Sequence, residues 1–308
     1  MQTQKTISEI IDLWKADKKQ YVKKSSYSAY ILLIENHLLP VFGYKTSIGD
    51  SEVQKFVFQK LAEGLSHKTI KDILIVLKMV LKFGAKNKVF EYVPFEVQYP
   101  TEREKHDIEV LSRTNQKKLM NFIRENFNFR NLGIYICLST GIRIGEICAL
   151  TWEDIDAENG VIAVRKTIQR IYVIENGSRH TELLIDTPKT KNSIREIPMT
   201  KDLLQILKPL KKIVNNNFFV LTNDAKPTEP RTYRNYYKKM IKTLNIPELK
   251  FHGLRHSFAT RCIESNCDYK TVSVILGHSN ISTTLNLYVH PNMDQKKKCI
   301  EQMAKSLK

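Results

Sequence analysis

The first hundred residues contain no Arg at all; the first is Arg103. Nowhere is there a C-x-x-C pair, a run of about 18 apolar residues, an internal repeat or a low-complexity tract. Each absence excludes a class. The five Cys (Cys137, Cys148, Cys262, Cys267 and Cys299) are odd in number. Together with the missing C-x-x-C pair, this argues against a disulfide framework or a zinc ribbon and fits a reducing cytosol. The N-terminal stretch MQTQKTISEIIDLWKADKK has no apolar signal core, and no segment reads as a membrane span. His252 and His256 are spaced i,i+4, but no H-E-x-x-H glutamate or third ligand accompanies them, so no metal is expected and His256 reads as structural.

What is present is positive charge. Lys and Arg number 49 against 32 Asp and Glu, a formal net charge of +17 over 308 residues. That length is expected to give two domains at roughly 150 residues each. With 42% hydrophobic residues the chain can bury real cores, which excludes intrinsic disorder as the main state. A basic balance of this size points to a polyanionic partner, nucleic acid first. The charge is unevenly made. Residues 1–100 carry 15 Lys against 10 acids, and every Arg falls after them. Arg grips phosphate bidentately while Lys acts as a point charge, so phosphate chemistry is expected in the second part of the chain.

Apolar periodicity predicts four helices over residues 1–92. They cover about 6–20, 26–39 (ending at Pro40), a helix capped by Asp50, and about 67–86 capped by Ser66. Residues 93–107 hold Pro94, Pro100 and a charged run, and read as an interdomain linker. Beyond it, helices are predicted near 114–126, 130–140 and 143–150. Strand signals follow at 161–164, 166–174, 181–187 and 194–199, with an Asn176-Gly177 hairpin turn. Helices resume at about 200–213, 230–244, 253–265, 269–277, 281–288 and 293–307. The expected fold is mainly α with a small antiparallel β-sheet: a helical domain over 1–92, a linker, and an α+β domain over 108–308.

Four segments of the second domain carry the chemistry: TGIRIGEICALTWEDI (140–155), TPKTKNSIREIPM (187–199), HGLRHSFAT (252–260) and LGHSNISTTLNLYVHP (276–291). In this order, and ending in a Tyr near the C-terminus, they resemble the tyrosine site-specific recombinases, the phage-integrase family. The resemblance covers essentially the whole second domain, and the four-helix first domain matches the family's core-binding domain in size and order. It implies that Tyr288 is the nucleophile forming a 3′-phosphotyrosyl bond. Arg143 is the first catalytic Arg, Lys189 the catalytic Lys, His252 and Arg255 the H-x-x-R pair, His278 the later phosphate-contacting His, and Glu146 a support for Arg143. The residue types suit the reaction. Two guanidinium forks neutralise the non-bridging oxygens of a pentacoordinate phosphorus. Nearby cations favour the phenolate of a Tyr whose free pKa is about 10. A Lys on a hairpin can protonate the leaving 5′-oxygen. Neither a cofactor nor a metal is implied.

The resemblance also implies partners: double-stranded DNA carrying specific sites, clamped between two domains, and a homotetramer in which the tail helix (about 293–307) docks on a neighbouring protomer. Directionality or DNA-bending accessory proteins belong to the same expectation. Bidentate guanine reading by Arg is impossible from residues 1–100, so Lys, Asn, Gln, Ser, Thr or DNA shape must contribute there. Tyr288 lies ten residues after His278, one more than is usual in the Xer branch, and the strand region is elongated; both features resemble phage and conjugative-element integrases. An arm-binding domain has no space before residue 6, so a minimal two-domain form in the bacterial cytoplasm is expected. Integration, excision, inversion and dimer resolution stay open, as do a non-cleaving DNA-binding protein and a type IB topoisomerase-like relaxase.

Overall fold

A computed structural model describes residues 5–89, 92, 94–100, 108–175, 178–289 and 293–306. The chain forms two compact units, Met1–Lys105 with Arg170–Leu184, and His106–Gln169 with Ile185–Lys308.

In the first unit, the Ile7–Lys18 helix begins at a capping box. Thr6 Oγ1 accepts from the Glu9 backbone N–H, and the Glu9 carboxylate accepts from the Thr6 N–H. Its Ile7, Ile10, Ile11 and Trp14 are buried with Ile70, Ile73, Leu77 and Val80 of the long His67–Lys86 helix, which Ser66 caps as expected. Fully burying each such side chain stabilises the unit by about 1.5–3 kcal/mol. The second helix, Lys24–Leu33, does not stop at Pro40. It widens into a π-turn at Ile34–Leu38 and resumes as Leu39–Phe42, with Pro40 in its first turn. A wide turn absorbs the carbonyl that a proline ring otherwise strikes one turn back, and the first turn needs no proline N–H. The next cap also differs from expectation. Gly49, not Asp50, is the N-cap of Asp50–Ala62, and its N–H donates to Glu52 Oε2 at 2.9 Å.

The stretch expected to be a linker begins, in its described part, as an extended strap on this unit. Phe95 is buried in the helical core, and Gln98 exchanges two hydrogen bonds with Gln54. The hairpin Thr167–Glu175 with Ser178–Asp186 is where the sequence places it, although its Asn176-Gly177 turn lies outside the described residues. Most of it belongs to the first unit: Tyr172 N–H donates to Ser28 Oγ at 2.8 Å, and Lys24 pairs with Glu182.

The second unit is built on Phe129–Thr140, buried on nearly every side, with Arg113–Glu125, Ile144–Ala149, Lys201–Lys211, Pro230–Thr243 and His252–Glu264 around it. Trp152, Tyr135, Tyr233 and Tyr237 fill its centre. A three-stranded antiparallel sheet pairs Val161–Val164 with Ile155–Asp156 on one side and Arg195–Pro198 on the other. Register matters most at Val164↔Arg195, because it fixes Arg195 at the end of the outer strand. The short helices Tyr269–Leu276 and Ile281–Tyr288 close the unit against His252–Glu264, and Met293–Ser306 follows. Among the described residues no helix is long and apolar enough to cross a membrane.

Candidate active site

Two helix ends organise the site. Phe129–Thr140 and Tyr269–Leu276 each finish at a glycine, Gly141 and Gly277. The last carbonyls of a helix have no partner within it and carry its partial negative charge. Here they hold three arginines. Arg255 Nη1 donates to Gly141 O at 2.8 Å and its Nη2 to Leu276 O at 2.7 Å. Arg143 Nη2 donates to Gly277 O at 3.1 Å, and Arg195 Nε to Ile275 O at 2.6 Å. Neutral carbonyls orient a guanidinium without cancelling its charge, so positive potential is left for an anionic ligand.

Arg143 is the N-cap of Ile144–Ala149, and Glu146 on that helix is its partner. Glu146 Oε2 accepts from the Arg143 N–H at 2.9 Å, and Oε1 from Arg143 Nη1 at 2.8 Å. The carboxylate is 3% exposed and also accepts a bidentate pair from Arg195, at 3.1 and 2.9 Å. Burial alone would raise its pKa. Arg195 and then Arg143 outweigh that, so it lies below the ordinary carboxylate value and stays ionised. Arg195, buried at the end of its strand, was missed in the sequence. It lies six residues after Lys189 in the same segment with no spacing to mark it, and only the fold turns it towards Glu146.

Arg255 is 2% exposed. Burial and then the charge of Arg143 press its pKa down, yet a guanidinium starts high enough to remain charged at neutral pH. His252, the first residue of its helix, keeps an edge open to solvent. The protein crowding its other side, then the charges of His256, Arg255 and Arg143, push its pKa down to about 4. His278 is likewise pushed down to about 4, by burial first and then by Arg255 and Arg143. Its Nδ1 lies 2.8 Å from Oγ1 of the buried Thr284. Both imidazoles are therefore neutral at pH 7.

Tyr288 ends the Ile281–Tyr288 helix and is 8% exposed. Burial raises its pKa, opposed by Arg255 and Arg143. Its hydroxyl lies 2.7 Å from Nδ1 of His256, the residue that read as structural in the sequence. The His256 and His252 rings meet edge-on, with centroids 4.6 Å apart. The structure thus brings Arg143, Glu146, His252, Arg255, His278 and Tyr288 into one cluster. Lys189 stands apart from these hydrogen bonds, exposed in the turn that leads to Lys191–Ser193. That turn reaches the cluster at Asn192, whose carbonyl lies against Gly277. Among the described residues no three His, Cys, Asp or Glu side chains are grouped to hold a metal.

A tyrosine hydroxyl beside two charged guanidinium groups and two neutral imidazoles is suited to moving a phosphodiester onto a protein oxygen, the chemistry of a DNA strand-transfer enzyme. Comparison with known proteins agrees. The phage integrase family model matches residues 109–295, and the N-terminal SAM-like domain of phage integrases matches residues 6–59. A tyrosine recombinase XerC-like protein of Caldanaerobacter subterraneus is 31% identical over 85% of this chain and 73% of its own length. The transposase of transposon Tn916 from Enterococcus faecalis is 27% identical over 80% of this chain, which spans only 64% of that relative. The structure of the Tn1549 transposon integrase, in complex with transposon right end DNA, superposes with a TM-score of 0.79 at 25% identity, over 97% of this chain and 100% of that one. The chain belongs to the phage integrase family. It is a tyrosine recombinase, an enzyme of site-specific DNA strand breakage and rejoining.

Proposed function

We propose that the protein is the integrase of a mobile element and that Tyr288 is its nucleophile. Tyr288 Oη attacks the scissile phosphorus to give a 3′-phosphotyrosyl bond, and the 5′-oxygen leaves with a proton from Lys189. The 5′-hydroxyl of a partner strand then attacks the phosphotyrosine and frees the tyrosine. Because the ester bond is conserved, neither a nucleotide cofactor nor a metal is needed. Arg143 and Arg255 neutralise the non-bridging oxygens, His252 and His278 donate hydrogen bonds to them, and Glu146 holds Arg143. Two such exchanges pass through a Holliday junction.

The observation that carries this reading is the convergence of both arginines on the helix ends beside the Tyr288 hydroxyl. Relatives named Tn916 transposase and ICEBs1 integrase (Bacillus subtilis, 23% identical) favour a mobile element over chromosome-dimer resolution. The helical domain over residues 1–92 would hold duplex DNA, residues 93–107 would lead to the catalytic domain, and four protomers would assemble on two duplexes. The Met293–Ser306 helix, with Met293, Ile300 and Met303 exposed, suits docking on a neighbouring protomer.

The test is single-turnover cleavage of a nicked duplex spanning the element's end. Wild-type protein should accumulate a covalent adduct on the 3′ side of the break, and Tyr288→Phe none. An equal adduct from Tyr288→Phe would remove Tyr288 from the chemistry.

A further inference from the structure

The Tyr288 hydroxyl is buried and must lose its proton to attack phosphorus. Arg143 and Arg255 donate hydrogen bonds and carry positive charge, so neither can accept that proton. Within hydrogen-bond reach of the hydroxyl is the Nδ1 of His256, at 2.7 Å, with the two ring centroids 5.6 Å apart. The packing fixes this contact from both sides. His256 lies one turn along the helix from His252, whose ring meets it edge-on, and Tyr288 is anchored among Ala259, Val272 and Leu276.

We propose that His256 is a further catalytic residue, the general base of strand cleavage and the general acid that releases Tyr288 on rejoining. In cleavage the Tyr288 Oη–P bond forms and its proton passes to His256 Nδ1, giving an imidazolium. The P–O5′ bond breaks, and that oxygen takes its own proton from the leaving-group acid. In rejoining the incoming 5′-hydroxyl attacks phosphorus and returns its proton to that same acid, the P–Oη bond breaks, and Tyr288 Oη leaves with the proton returned from His256. Protons balance over the cycle, and no co-reactant is required. The inference rests on the reading of Tyr288 as nucleophile.

His256 is suited to accept. Burial and then Arg255 lower its pKa, so the ring is neutral at pH 7, and as the Nε2–H tautomer its Nδ1, 2.7 Å away, accepts from the hydroxyl. The groups that face it are Arg255 and His252 on its own helix and Tyr288 on the Ile281–Tyr288 helix. Phe129–Thr140 and Tyr269–Leu276, which pack against the same helix, bring no charge that shifts it.

The experiment measures single-turnover adduct formation on a nicked duplex from pH 6 to 9 for wild type, His256→Ala and His256→Asn. The asparagine keeps a hydrogen bond to the hydroxyl but cannot take its proton. At pH 7 both variants should cleave about 100-fold more slowly, the lower end of what a positioned base contributes. Wild type should be nearly flat above neutrality. The variants should gain about tenfold per pH unit, because solvent hydroxide then supplies the phenolate. A substrate with a 5′-bridging sulfur, whose leaving group needs no proton, should leave their defect unchanged. Cleavage by His256→Asn within threefold of wild type, a loss that is the same at every pH, rescue by the sulfur substrate, or faster cleavage by either variant would each overturn the proposal. An adduct from Tyr288→Phe would instead sink the nucleophile reading, so the two failures are distinguishable.

Discussion

Glu146 accepts hydrogen bonds from two arginines at once, so Arg195 bears on the site through the same carboxylate as Arg143. Both members of the Arg195–Glu146 pair are buried, with 4% and 3% of their side chains exposed. Removing one partner of such a pair strands the other and costs about 3–5 kcal/mol. Arg195→Ala should therefore lower the melting midpoint by roughly 10 °C, at about 2–4 °C per kcal/mol for a unit of this size. Arg195→Lys should fall between, because an ammonium cannot reproduce the bidentate fork. The pH dependence has a definite sign. Glu146 has a lower pKa folded than its ordinary value of 4.5, so it stabilises the fold above that value and the contribution fades as pH falls through the folded pKa. Without Arg195 the folded pKa rises, and the acid midpoint of unfolding should move upward. Thermal melts and acid titrations of the variants check both effects. An unchanged acid midpoint in Arg195→Ala would mean that Arg143 alone keeps Glu146 ionised.

At the scale of elements, the two helix C-termini make the cluster possible, and Gly141 is their tightest point. Its φ is +66°, and a Cβ there would lie 2.6 Å from Phe258 Cδ1 and 2.8 Å from Leu276 Cδ2. Gly141→Ala would incur about 1–2 kcal/mol for the left-handed backbone plus the crowding, and would shift the carbonyl that holds Arg255. Gly160 has nearly the same φ, +67°, but its nearest neighbour is Leu204 Cδ2 at 3.7 Å. Gly160→Ala should thus cost only the backbone strain and leave cleavage intact, whereas Gly141→Ala should lose at least tenfold in cleavage rate. Equal cleavage by the two variants would show that the Gly141 carbonyl does not set Arg255. Much of this level was legible in the sequence. Helices with one apolar stripe and a Ser, Thr, Asn or Asp cap, such as His67–Lys86, announce themselves because period and cap are local. The π-turn before Pro40 and the cap at Gly49 were not, since each depends on how neighbouring turns settle. In the site, Arg143, His252, Arg255 and Tyr288 stood out through spacing on recognisable segments. Arg195 and the His256–Tyr288 contact were hidden because both are meetings of residues 49 and 32 positions apart, which only tertiary packing creates.

For the whole molecule, the division of charge becomes a prediction about salt. Each lysine that neutralises a DNA phosphate steepens the fall of log K with log salt by about 0.9, by counterion release. The first hundred residues carry their positive charge only as Lys. On the His67–Lys86 helix, Lys71, Lys78 and Lys82 stand over the rings of Tyr99, Phe95 and Tyr92, with Nζ 5.0, 4.7 and 6.0 Å from the ring centroids. An aromatic face steadies an ammonium without neutralising it, so these lysines are pre-ordered along one helix and keep their charge for phosphate. Replacing all three with Gln should weaken duplex binding at physiological salt and reduce the slope by about 2.7. The single-turnover cleavage rate at saturating DNA should stay near the wild-type value, because none of the three belongs to the Arg143–Tyr288 cluster. Arg143→Ala should do the reverse, changing the slope by about one at most while abolishing cleavage. Binding isotherms from 50 to about 300 mM salt, read beside adduct formation on the same duplex, separate the two effects. If the triple variant kept the wild-type slope, the helix with the ring-backed lysines would not be the surface that holds DNA. The positive charge of the first unit would then serve something other than grip.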